Sequence, residues 1–150
     1  MVLVANWNIY ENFKSSEFVC KCGCGTLSIA KTLVDRLQKA RLIARKKIRE
    51  ITKNPNADLP FTINSGCRCV SHNTNVKGRP NSDHIASRSG ELVCVGVDIK
   101  VRGDRERFVV YDSLREAGFT RFDVRRGYIH TGLDMSQGGR NDSHVLCVGV

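Results

Sequence analysis

The chain has 150 residues, enough for one domain over 1–150 that buries roughly two-thirds of its unfolded surface. With 41% hydrophobic and 26% charged residues it reads as globular rather than disordered, and no apolar run approaches the ~20 residues of a membrane span. The formal charge of +9 favours anionic partners, whether nucleic acid, acidic membrane or an anionic cell-wall polymer, and its sign does not choose among them.

Residues 1–7 are too short and lack the basic flank of a secretory signal, so synthesis in the cytosol is expected, with any action outside reached by another route. Phe13 and Phe18 read as apolar anchors around a short turn capped by Ser15 or Ser16. Cys20-Lys21-Cys22-Gly23-Cys24-Gly25 follows. Alternating cysteines with two glycines make a tight loop. Seven cysteines are an odd count, so at least one is unpaired within a monomer. Metal binding or burial is favoured over a disulfide framework in a cytosolic product. The loop is then either a metal knot completed by Cys67 and Cys69, or a buried loop of reduced thiols, or one closed by a late disulfide.

An amphipathic helix is expected over 28–50, with Ser28 as N-cap. Ile29, Leu33, Leu37, Ala40, Ala44 and Ile48 recur every three or four residues, the spacing of one buried helix face. The basic run at 45–49 reads as a solvated helix end whose cations suit the C-terminal dipole; phosphate contact is the alternative. It carries no interleaved aromatics and matches no nucleic-acid motif, so no nucleic-acid partner is expected.

A short strand over 61–64 delivers Ser65-Gly66-Cys67-Arg68 into a turn. Arg68 is a candidate to hold a substrate carboxylate in a bidentate fork, or else a surface arginine. His72 reads as a structural hydrogen-bonder. Ser89-Gly90-Glu91 reads as a turn. Over 92–101 the residues alternate: Val93, Val95, Val97, Ile99 and Val101 on one face, Leu92, Cys94, Gly96, Asp98 and Lys100 on the other. A carboxylate in so apolar a strand needs a strong partner, either a metal or an arginine. A second helix runs from Gly103-Asp104 to about Ala117, with Phe108, Tyr111 and Leu114 inward, and Gly118 ends it. Strands are expected at 119–124, at 128–133, where His130 lies opposite Ile129 and Leu133, and at 145–150, with a polar loop over 135–143. Two helices and several short strands give an α+β domain with a mostly antiparallel sheet.

His84, Asp98 and His130 make a three-ligand set for a catalytic zinc, which leaves a fourth position for water. Such an ion polarises a scissile carbonyl and brings the pKa of its water to about 7. A separate carboxylate must then take the water's proton. Asp134, four residues after His130, is the first choice and Asp123 the second; Glu91 and Asp83 are weaker. Arg68 is the cation for a substrate carboxylate or the developing oxyanion.

The ordered set Asn12-Phe13-Lys14-x-Ser16-Glu17-Phe18-x-Cys20-Lys21-Cys22-Gly23-Cys24-Gly25, Asn64-Ser65-Gly66-x-Arg68-Cys69-x-x-His72-Asn73, Asn81-Ser82-x-His84, Val97-Asp98-Ile99 and Tyr128-Ile129-His130 resembles the zinc D-Ala-D-Ala carboxypeptidase family. These are murein peptidases that share their fold with the hedgehog signalling domain. The resemblance covers nearly the whole chain. It implies a hedgehog/DD-peptidase-like α+β fold with two main helices on the sheet. It also implies zinc at His84, Asp98 and His130, substrate contacts from Arg68 and Ser82, and hydrolysis of peptidoglycan stem peptides next to a D-amino acid by a monomer.

A chain this short looks most like a phage-type member, acting on the wall after release or as part of a virion. Carboxypeptidase and endolysin-type endopeptidase both fit. A zinc-bound binding or structural module of the same fold without activity is the other reading. Three departures from the family pattern stand out. His84 and Asp98 are separated by thirteen residues, as if a hairpin tip were inserted. Gly127 and Gly132 occupy the two places where relatives carry an acid near the last histidine. Cys67 stands where an aromatic is common.

Overall fold

The computed structural model describes residues 1–142 and 145–149. The predicted loop residue Ser143 and the last residue of the predicted final strand, Val150, lie outside the described residues. The fold is α+β. Strands β1 (Thr62–Ser65), β2 (Gly96–Lys100), β3 (Arg121–Val124), β4 (Tyr128–Gly132) and β5 (Val145–Val148) form one sheet in the order β1-β2-β4-β3-β5. Three of its four pairings are antiparallel, and β5 alone runs parallel, beside β3. Helices α1 (Lys31–Thr52), α2 (Val70–Asn75) and α3 (Asp104–Glu116) complete it. No described helix is long and apolar enough to cross a membrane.

The period-2 alternation of the second strand fixes which side of the sheet is which. Val97 and Ile99 pair with Thr131 and Ile129 of β4, which in turn pair with Phe122 and Val124 of β3. This row packs into a core with Leu33, Val34, Leu37, Val109, Val110 and Leu114, so α1 and α3 cover that face. The residues one step along each strand point the other way. They are Asp98, His130 and Asp123, paired in register across β2, β4 and β3 and continued by Ser65 on β1 and Cys147 on β5. One apolar row therefore builds the core, and the adjacent polar row is left for chemistry.

Helix α1 starts later than the periodicity suggests. Ser28 does not cap it. Its hydroxyl donates to the Ser87 carbonyl at 2.6 Å, and 28–30 run extended between Leu3 and Cys94. The first short turn, Ser15–Glu17, is likewise capped by the Glu17 carboxylate on the Lys14 amide rather than by a serine. Helix α3 has the expected span but a different phase: Val109, Val110, Ser113 and Leu114 are buried, and Phe108 is 60% exposed. Phe13 and Phe18 are buried as anchors. Helix α2 had no apolar stripe to announce it. The segment between Ile85 and Cys94 closes as a turn, with Ser87 N–H donating to the Leu92 carbonyl at 2.9 Å and Gly90 at φ +81°. This accommodates the extra length between His84 and Asp98.

On α1 the buried stripe contains one charge, Arg41, which is 4% exposed. It donates two hydrogen bonds of 2.7 Å to both oxygens of Asp58. Those bonds, opposed by partial burial, hold the Asp58 carboxyl well below the usual carboxylate range. Arg41→Ala is expected to lower the unfolding free energy by about 1–3 kcal/mol. A carboxyl with a depressed folded-state pKa stabilises above its ordinary pKa of about 4 and loses that contribution as the pH falls. Urea unfolding should therefore show the gap between wild type and variant closing in acid. A gap equally wide at pH 7 and pH 2.5 would contradict the assignment.

Candidate metal centre

His84 arrives on a segment pinned from both sides. Arg68 N–H donates to the His84 carbonyl, and Val95 N–H to the Asp83 carbonyl, each at 2.8 Å. The Ser82 hydroxyl accepts from His84 N–H at 3.3 Å. The guanidinium of Arg140 donates to the carbonyls of Ser82 (2.6 Å), Ile85 (3.2 Å) and Val93 (3.0 Å). The backbone is thus set before the imidazole is used.

The Nδ1 of His84 lies 2.7 Å from the Gly66 carbonyl. That contact turns the other ring nitrogen, Nε2, toward Asp98 Oδ1, 3.3 Å away. His130 is oriented the opposite way. Its Nδ1 lies 2.8 Å from Asp98 Oδ1, and its Nε2 lies 2.9 Å from Asp83 Oδ2. Ligand atoms of His84, Asp98 and His130 all fall within 4.8 Å of one another. Each imidazole has one nitrogen on a carbonyl or carboxylate and the other facing the shared centre, the support that metal-bound histidines require. Two imidazole nitrogens and one carboxylate around an open position suit a divalent zinc.

Asp83 is the residue whose role the sequence hid. Its side chain is 1% exposed. Its Oδ1 accepts from Asn141 Nδ2 at 2.6 Å, and Arg121 Nη2 lies 3.5 Å from its Oδ2. Two glycines make the space. A Cβ at Gly132 would sit 2.7 Å from Asp83 Oδ2, and one at Gly96 would sit 2.5 Å from Asp83 Cβ and 3.1 Å from His130 Cε1. Gly96 thus clears Asp83 and His130. Only a fold that empties positions 96 and 132 lets Asp83 reach His130, and no local spacing signals that.

The other expected residues fall as follows. Arg68 reaches the cluster: its Nη2 lies 3.4 Å from Asp98 Oδ2, and its Nε donates to Ser65 Oγ at 3.1 Å. Ser82 lies on the turn leading into His84, where its hydroxyl accepts from His84 N–H. Asp123 shares the ligand face next to His130, is 32% exposed and pairs with Arg125 at 2.7 and 3.0 Å. Asp134 is fully buried and caps the turn Met135–Gln137. Its carboxylate accepts from the Thr120 and Ser136 hydroxyls and from Gln137 N–H, so its oxygens are committed to holding that turn. Glu91 is exposed on the turn over 88–92. His72 is on α2. Cys67 is buried apart from the other loop cysteines.

Burial alone would make His130 less basic, but its hydrogen bonds to Asp83 and Asp98 outweigh this and push its pKa up to about 9. The same two histidines, against burial, hold the Asp98 carboxyl well below the usual range. Before metal binds, His130 is therefore an imidazolium donating from both nitrogens. A zinc ion bound by His130 Nδ1 would displace the proton there. Zinc titration by calorimetry at pH 7, in buffers of different ionisation enthalpy, should report release of about one proton per site ion. Affinity should rise with pH until about 9. A pH-independent affinity between 6 and 9 would contradict this protonation state.

A search of the curated proteins finds no match. The family model for peptidase M15 matches residues 11–134, a span that includes Arg68, Ser82 and all three clustered ligands. The matched segment begins before the cysteine loop and ends just after the strand of His130, so it takes in β1 to β4 and leaves out Arg140 and Asn141. By that match over most of its length, the chain belongs to the peptidase M15 family.

Proposed function

We propose that this protein is a zinc-dependent peptidase that hydrolyses peptidoglycan peptides next to D-amino acids, as a phage-type wall-degrading enzyme. The observation that carries this is the convergence of His84 Nε2, Asp98 and His130 Nδ1 beside Arg68, in a chain of the M15 family. Zinc held there supplies Lewis acidity to a carbonyl and to water. Arg68, next to Asp98, is placed to bind a substrate carboxylate or developing oxyanion. Ser82, whose hydroxyl accepts from His84 N–H, would contact substrate from the His84 turn. The +9 charge favours approach to an anionic wall.

Of the two base candidates, Asp123 fits better than Asp134. It lies on the ligand face with a side chain 32% exposed beside Arg125, whereas Asp134 is buried with its oxygens committed to its own turn. Asp123 would take the water's proton and return it to the leaving amine. The test is cleavage of purified peptidoglycan and of D-Ala-D-Ala stem peptides, with products identified by mass spectrometry. Wild type should cleave with zinc and stop with chelator. Asp123→Asn should keep its zinc and lose roughly 10²–10⁴-fold in kcat. A zinc-loaded wild type that cleaves none of these peptides would replace this reading with a non-catalytic, zinc-bound module.

A further inference from the structure

The cysteine loop and the segment carrying Arg68 meet at a second cluster of metal-binding side chains, outside the site above. The Sγ atoms of Cys20, Cys22, Cys24 and Cys69 all lie within 4.8 Å of one another. Cys20 and Cys22 are 3.5 Å apart, and Cys22 and Cys69 3.7 Å. The first three come from one tight loop, which Gly23 (φ +87°) and Gly25 (φ +80°) bend through the left-handed region. The fourth comes from 49 residues after Cys20, at the start of α2. Two backbone amides aim at the sulfurs: Cys69 N–H at Cys20 Sγ (3.4 Å) and His72 N–H at Cys69 Sγ (3.3 Å). Amide donors to sulfur stabilise thiolate and are the outer shell of a metal–thiolate site. Cys67, expected in this group, is not part of it. It is 2% exposed and lies against Cys94.

A disulfide would use two of these sulfurs and bring them to about 2.05 Å. It would leave the other two thiols facing it. Four sulfurs converging on one point from two segments fit a tetrahedral ion about 2.3 Å from each. We propose that Cys20, Cys22, Cys24 and Cys69 bind a second, structural zinc ion.

This site would do work for the first. It ties residues 20–24 to the 66–69 segment, which gives His84 its Gly66 carbonyl and carries Arg68. The segment is already close against the loop's approach: Cys67 N–H donates to the Phe18 carbonyl at 2.8 Å, and a Cβ at Gly66 would lie 2.7 Å from Phe18 Cα. A structural zinc here locks the turn on which the substrate-binding arginine sits.

The test is metal counting by native mass spectrometry on zinc-loaded, reduced protein, together with the absorption spectrum of the cobalt-substituted form. Wild type should carry two zinc ions. His84→Ala should keep one, and its cobalt form should still show intense thiolate-to-metal charge transfer in the near ultraviolet. In Cys22→Ser/Cys69→Ser that band should vanish while the other ion stays. Because His84→Ala leaves the cysteines intact, the result does not depend on the cysteine variant folding. A His84→Ala protein that binds no metal, or cobalt protein without a thiolate band, would overturn the proposal. Failure of the histidine site alone would read differently, with the thiolate band intact and a single ion in wild type.

Discussion

His84→Ala is expected to empty the histidine–aspartate centre and reduce peptide hydrolysis to background, while the fold survives. The side chain supplies one of three protein ligands, and its Nε2 has no substitute nearby: His130 presents Nδ1 to the centre and has its Nε2 on Asp83. Sharing the ~10–16 kcal/mol of a four-ligand zinc site evenly gives about 3 kcal/mol per ligand, or roughly 10²-fold in affinity. The fold should tolerate the change because the main chain of His84, not its ring, holds the segment in place, through Arg68 N–H and Ser82 Oγ. Elemental analysis with a thermal melt reads both consequences. Retained zinc at full stoichiometry with unchanged turnover would remove His84 from the ligand set.

Asp83→Ala should have the second-largest effect, although Asp83 is not itself one of the ligands. Removing it leaves His130 Nε2, Asn141 Nδ2 and the Arg121 guanidinium facing a buried gap. Among the described residues Arg121 Nε is already buried without a partner, so the site has little slack. Loss of such a supporting carboxylate costs roughly 10–100-fold in metal affinity, and a broken buried charge network costs about 3–5 kcal/mol of stability. A second readout separates this from simple unfolding. Without Asp83 the basicity of His130 falls, so the pH at which zinc binding saturates should move down in Asp83→Ala and by less in Asp83→Asn. An affinity within twofold of wild type and an unmoved pH profile would show that Asp83 does not orient His130.

Two members of the cluster, Asp98 and His130, were legible because each sits in a pattern with a short period. The alternation through Val95, Val97, Ile99 and Val101 puts Asp98 on the opposite face, and the same count on β4 sets His130 against Ile129. Helix α3 announced itself through Gly103-Asp104 and Gly118, though not its phase: Val109 and Val110 take the core and turn Phe108 out. What was hidden depends on contacts between distant segments. Ser28 left its capping role for a carbonyl 59 residues away. Asp134 looked well spaced from His130, but Thr120, Ser136 and Gln137 claim its oxygens. Cys67 and Cys69 look equivalent in the chain, yet the turn of Arg68 sends one to the core and the other to the cysteine loop.

Asp83 and His84 are consecutive, and they act on opposite sides of the centre: one offers a ligand nitrogen, the other grips the back of a different ligand. The same short segment is held by two carbonyl contacts from Arg140, to Ser82 and Ile85. An ion held there would therefore lose a ligand and the support of another in one local opening of that segment, and its residence time is expected to shorten as the grip of Arg140 is weakened.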